Sequence, residues 1–276
     1  MNAVEQQIAI PTATTERLWG VTTLLNMALG AGPGLVYWHC EQTATICLDR
    51  RSTLDTMKRD EAIKWAVDKR WEATERAKAR GTEVHRAAEA IALGAPTPLI
   101  EPDMAREIAP YVEQLVRWLK TYQPTFVMAE APIYNLTHGY AGTCDGIFEI
   151  GGQRYIFDYK TTEKGPDARS RPPYSNASLQ MSAYAHAEQV GLLADRRFAE
   201  QQKDRWYIYD PAVEHQPMPP VDKALCIVVS PVDCFAQHVA IGEIPFQSFL
   251  HAKALAEWNR DLFKQAFGTT WVAKAS

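Results

Sequence analysis

Long apolar runs, paired cysteines and charge of a single sign are all missing from this chain. A membrane helix needs about 18 consecutive apolar residues. The most apolar stretch, from Val21 to Val36, is broken by Thr, Asn, Gly and Pro. The N-terminal segment MNAVEQQIAIPTATTER has no basic start followed by an apolar core, so no secretory signal is expected. The five cysteines, Cys40, Cys47, Cys144, Cys226 and Cys234, are odd in number and none forms a C-x-x-C pair. That spacing excludes a disulfide scaffold and a zinc ribbon. Lys+Arg total 29 and Asp+Glu 33, a formal charge of -4, so polybasic binding of nucleic acid is excluded. A polyanionic partner would have to be met by local basic patches or bound metal ions. These absences predict a protein of a reducing cytoplasm with no membrane partner.

What is present is an ordinary globular composition, 46% hydrophobic and 22% charged over 276 residues, enough for a sizeable core. Residues 1–17 read as a loose arm, and 18–48 as an apolar, partly helical stretch. It is interrupted by Gly30-Ala-Gly-Pro-Gly34, a helix connector, since no Gly-Lys-Ser/Thr follows. Residues 53–80 lack Gly and Pro and predict a long surface helix; Gly81 to Glu89 predicts a further short one. Between Lys58 and Arg86 nine basic residues face six acidic ones, a local excess of three. Two readings stand: a solvated helix laced with ion pairs, or a surface that tracks phosphates.

Helix is expected over 104–121, with Ile108, Val112, Leu115, Val116 and Leu119 inward, then strands over 125–134, 140–150 and 153–161. A helix over 176–190 closed by Gly191, strands near 206–209, 224–230 and 235–243, and a final amphipathic helix over 246–266 complete the pattern. The fold class is therefore α+β: a mixed central sheet flanked by helices, with a helical N-terminal portion over 1–80 and a core over 81–276.

The most informative segment runs from Gly142 to Thr161. Gly151-Gly152 between two strand-like runs predicts a two-residue hairpin turn. Ile150 then pairs with Gln153, Glu149 with Arg154, Ile147 with Ile156 and Asp145 with Asp158, while Lys160 shares the face of Asp158. Phe148, Tyr155, Phe157 and Tyr159 fall on the opposite face, as does Cys144. Two facing carboxylates about 5 Å apart destabilise a hairpin unless a proton or a cation lies between them. Oxygen ligands of this kind suit Mg²⁺ or Mn²⁺. A longer turn or a bulge would instead slip the register and leave both acids as surface residues.

Asp145 with Asp158-Tyr-Lys160 resembles the bipartite motif of the PD-(D/E)XK nucleases. Gly142-Thr-Cys-Asp-Gly146 and Phe157-Asp-Tyr-Lys-Thr161 are similar to its RecB-type exonuclease branch, which includes many phage-encoded members. Gly81-Thr-Glu-Val-His85 resembles the histidine motif of that branch, and Gln180-Met-Ser-Ala-Tyr184 its Gln-x-x-x-Tyr motif. Cys144 stands where other family members carry a proline. The resemblance implies a restriction-endonuclease-like core and a metal-dependent deoxyribonuclease, an exonuclease of phage DNA recombination or processing in the host cytoplasm. It implies Mg²⁺ or Mn²⁺ held by His85, Asp145, Asp158 and the Tyr159 carbonyl. Lys160 would position the attacking water, and Gln180 and Tyr184 would orient the site or touch the DNA backbone.

Beside these, Glu89 shares a helix face with His85 and is a candidate to fix its ring, or an ordinary surface glutamate. Glu130, on the strand before the hairpin, is a candidate further carboxylate, or one half of an edge-strand salt bridge. Some relatives hold an iron–sulfur cluster with closely spaced late cysteines. Here the late pair is only Cys226 and Cys234, so free thiols are expected. The partner implied is DNA, as single- or double-stranded ends, with a homo-oligomer or a recombination partner protein also open. The alternative is a nuclease fold kept as a DNA-end-binding or protein-interaction module.

Overall fold

The computed structural model describes residues 15–30, 32–96, 98–163, 176–191 and 206–262. At the centre lies the expected hairpin, β3 (Tyr140–Ile150) and β4 (Gln153–Thr161). Gly151 and Gly152 take φ of 59° and 77°, which a two-residue turn of this hand requires at both positions. The register is the one read from the sequence from Ile150↔Gln153 to Gly146↔Phe157, where pairing stops. Beyond that couple β4 continues parallel to β8 (Lys223–Val229), up to Thr161↔Val229. β3 continues antiparallel to β2 (Thr125–Asn135). The two hairpin strands therefore part company, and a gap opens between them.

Around the hairpin, the sheet runs β7-β5-β2-β3-β4-β8-β9, with β1 (Glu16–Gly20) joined to β3 and β6 (Trp206–Tyr209). The remaining strands are β5 (Gln189–Gly191), β7 (His215–Pro217) and β9 (Cys234–Val239). On one face Phe148, Phe157, Tyr159 and Ile227 pack against helices α4 (Arg59–Leu93) and α5 (Pro102–Tyr122). On the other, Ile133, Ile147 and Ile156 pack with α1 (Val21–Leu29), α6 (Ala177–Ala185) and α7 (Glu243–Glu257). The chain is thus α+β, a mixed sheet flanked by helices. The helices α2 (Pro33–Asp49) and α3 (Arg51–Leu54) precede α4. No described helix is long and apolar enough to cross a membrane.

Several expectations are corrected. The break before Gly81 is absent, because α4 is one helix from Arg59 to Leu93. Glycine inside a helix costs about 1 kcal/mol, but a Cβ at Gly81 would lie 3.3 Å from Thr161 Oγ1, so its lack lets α4 approach β4. The strand β1 lies within the portion expected to be helical. The helix α6 stops at Ala185, and residues 189–191 form a strand on β2. In α5 the buried residues are Ile108, Tyr111, Leu115 and Trp118, so two aromatic rings join the expected stripe, while Val112 and Leu119 are half-buried against the same core. Positions 263–266 of the expected last helix, and residues 1–14 of the arm, lie outside the described residues.

Candidate metal centre

Strand alternation would put Asp145 on the same face as Ile147, and Cys144 on the aromatic face. The structure reverses both. Cys144 is fully buried with Ile147 and Ile156, on the α6 side. Asp145 turns to the α4 side, where its Oδ2 lies 3.5 Å from His85 Nδ1. The reversal occurs at Gly146, whose φ of 157° brings the backbone so close to β2 that a Cβ would meet Met128 O at 2.5 Å. Its partner in β2 is Ala129, and the next residue, Glu130, has φ of 43°. A left-handed residue inside a strand costs about 1–3 kcal/mol. It turns the Glu130 carboxylate to the same side, 3.7 Å from His85 Nδ1. Two neighbouring strands thus invert together, and both deliver an acid to one histidine.

His85, Glu130 and Asp145 form a group whose ligand atoms lie within 4.8 Å of one another. The His85 ring is fixed from behind, Nε2 lying 3.0 Å from the Tyr159 carbonyl oxygen, which leaves Nδ1 toward the acids. Burial opposes charge on this ring, but the Asp145 carboxylate and then Glu130 offset it and push its pKa up to about 9. Asp145 is itself pushed up, first by burial and further by Asp158 and Glu130, against the pull of His85. Its Oδ2 accepts a 2.6 Å hydrogen bond from Tyr159 N. A side chain thus bridges the gap between β3 and β4 where a ladder bond would otherwise form.

Across that gap, β4 holds a second set. Asp158 is 4% exposed and forms an ion pair with Lys160. Gln180 on α6 donates to Asp158 Oδ1 at 3.2 Å and to Tyr184 Oη at 3.2 Å. Burial would lower the Lys160 pKa, yet Asp158 and Asp145 raise it above its ordinary value. Lys160 therefore stays an ammonium.

His85, Glu130, Asp145, Asp158 and Lys160 lie about the gap between β3 and β4, but in two sets and with changed partners. The expected direct couple Asp145–Asp158 is not made, since pairing ends one residue earlier. Asp158 lies with Lys160 and outside the three-ligand group, whereas Glu130 lies inside it. The Tyr159 carbonyl meets the histidine. Tyr184 is 3% exposed, so it braces Gln180 and cannot touch a nucleic-acid backbone. Glu89 is half-buried and does not fix the His85 ring, whose second nitrogen is taken by Tyr159. Burial, and then the nearby Glu130 charge, raise its pKa.

The donor set fits a divalent cation. Two carboxylates and an imidazole converge from three elements on one point, a mix of oxygen and nitrogen donors that such an ion accepts. Among the cysteines Cys144 and Cys226 are buried, and none belongs to this group. Sequence reasoning missed Arg80, whose guanidinium pairs with Glu163 at 2.8 Å, just past Lys160 on the chain. It also missed the contact of Thr143 Oγ1 with Tyr207 Oη at 3.0 Å. The partners lie 64 residues apart, and no local pattern announces such a contact. No family model matches the chain, and no curated protein matches it.

Proposed function

We propose that the chain is a divalent-metal-dependent deoxyribonuclease of the PD-(D/E)XK type, acting as an exonuclease in phage DNA recombination or processing. The observation that carries this reading is the convergence of His85, Glu130 and Asp145 on one point, beside the Asp158–Lys160 pair across a gap in the sheet. A divalent ion held by His85, Glu130 and Asp145, with Asp158 adjacent, would supply Lewis acidity at a phosphodiester oxygen. The rest is done by the chain itself. Tyr159 O holds the His85 ring so that Nδ1 faces the acids. Gln180, braced by Tyr184, fixes Asp158, and Asp158 in turn holds the Lys160 ammonium. An ammonium cannot accept a proton, so Lys160 serves by hydrogen-bonding the attacking water and opposing the negative charge that develops at the phosphate.

The donor set leans towards Mn²⁺ over Mg²⁺, because imidazole is a poorer ligand for the harder ion. End-labelled single- and double-stranded DNA, incubated with either metal and resolved on a gel, gives the test. Metal-dependent cleavage is expected, faster with Mn²⁺, and lost by at least about 100-fold in Asp158→Ala, the scale of removing one such group. Wild-type protein no more active than Asp158→Ala would overturn the reading.

A further inference from the structure

Helix α2 has 17 residues, yet none of its described side chains is buried. It packs chiefly against α4, and the short link through α3 makes the two an antiparallel hairpin. His39 Nδ1, 3.0 Å from Arg70 Nη1, marks the seam between them. Turning about 100° per residue from those two positions puts Val36, Cys40, Ala44 and Cys47 on one flank of α2. The same sense of turning puts Ile63, Val67 and Trp71 on one flank of α4. In antiparallel helices one sense of turning leads to one side, so the two apolar stripes stand next to each other.

This face is open. Val36, Ile63, Val67 and Trp71 are 40–51% exposed, and Cys40 is exposed as a free thiol. The charge set into it is that of Arg70, half-buried in the seam with its guanidinium 4.2 Å from the Trp71 ring centre. Along the outer edge of α4, Lys64 and Asp68 pair at 2.6 Å, so the rim carries both signs. A helix of this length packed on one side only is marginal in water. The 17 residues of α2 span about 25 Å, and two helices abreast about 20 Å, an outline of about 500 Å². Two such faces together reach the about 1,000 Å² that a specific interface needs. Tyr37 and Leu48, exposed on the outer edge of α2, add to that area. A face of one charge would repel its own copy. An apolar strip with a rim of both signs is complementary to itself, as a two-fold interface requires.

We infer that the hairpin of α2 and α4 is a dimer interface, packing face to face with the same hairpin of a second copy as a four-helix bundle. Val36, Val67 and Trp71 form its centre, with Trp71 the anchor, since tryptophan is enriched among the residues that dominate such interfaces. The face lies about 20 Å along α4 from His85, so the inference holds or fails independently of the nuclease reading.

The test is sedimentation velocity of the full-length protein over a dilution series. Wild type should sediment at twice the 31.0 kDa mass of the chain. Val67→Glu and Trp71→Glu each set like charges against each other across the two-fold axis, and each should raise the dimer Kd by at least about 100-fold. Both side chains are exposed in the single chain, so the variants should keep the wild-type circular dichroism spectrum. Ile244→Glu on α7, at a position 82% exposed and outside the hairpin, should leave the dimer intact. Mass spectrometry after alkylation should find Cys40 protected in wild type and modified in Val67→Glu. A wild type that stays monomeric at every concentration overturns the inference, and so does a trimer or larger ring, because a two-fold contact closes at two copies. A dimer that survives both glutamates, or one that Ile244→Glu dissociates equally, places the contact elsewhere and overturns it too. A monomer in which Cys40 is nonetheless protected assigns the face to another segment of the same chain, with the same result.

Discussion

On the proposed reading His85 is a cation in the metal-free site and would be a ligand in the loaded one. With three carboxylates around it, the imidazole is held protonated well above its ordinary range, up to about 9. A metal ligand must be a neutral imidazole, so binding an ion releases that proton. Between about pH 7 and 9 metal affinity should therefore rise with pH, by up to about tenfold per unit for one displaced proton. Titrating Mn²⁺ by calorimetry at several pH values, in buffers of different ionisation enthalpy, reads both the affinity and the released proton. A flat profile would mean that His85 is not a ligand. At this scale the sequence was legible in part. His85, Asp145, Asp158 and Lys160 could be singled out because their types and spacings resemble a nuclease motif. Their partners could not. That the His85 ring rests on a carbonyl 74 residues away, and that Glu130 stands closer to it than Asp158 does, depends on backbone conformation rather than residue type.

Among the elements, the hairpin was readable because its determinants are local: two glycines fix the turn, and the turn fixes the register. The inversion beside it was not. Glu130 carries no signature of a left-handed residue, and its conformation goes with that of Gly146 on the neighbouring strand. The same strand shows why a second glycine stands in the motif. A Cβ at Gly142 would lie 2.7 Å from Tyr184 Cε1. Gly142→Ala must push the tyrosine ring aside, and overpacking of this kind costs about 1–3 kcal/mol. Tyr184 holds Gln180, and Gln180 holds Asp158, so the displacement is passed to the carboxylate. Expected are a modest loss in thermal stability and a fall in kcat larger than any change in KM, since no substrate contact is removed. Unchanged kcat with lowered stability would show that the Gln180–Tyr184 brace does not position Asp158. The long helix α4 carries a related lesson. Gly81 looked like a boundary because glycine weakens helices, but the close approach of α4 to Thr161 outweighs that penalty.

For the molecule as a whole, the sheet gathers acids at a point where they oppose folding unless something neutralises them. Asp145 makes the point measurable. Its carboxyl is pushed up to about 7 by burial and by its acidic neighbours, against about 3.9 in an unfolded chain. A raised acid pKa means the folded state holds the proton more tightly. That contribution to stability is complete below about 4 and is lost as the pH rises through about 7. At neutral pH and without metal, ionised Asp145 therefore opposes folding. Asp145→Asn keeps an oxygen to accept the hydrogen bond from Tyr159 N and removes the charge, so in chelator it should melt at or above the wild-type temperature. Added Mn²⁺ should reverse the order. An ion that binds only the folded state stabilises it by about 2.7 kcal/mol at 100 times its dissociation constant, a shift of several degrees for a chain of this size. The variant, short of a charged ligand, should gain little. Differential scanning fluorimetry with chelator and with Mn²⁺ gives all four melting temperatures. A variant less stable than wild type in chelator, or one that gains as much from Mn²⁺, would mean that the acids are held together for the fold and not for an ion.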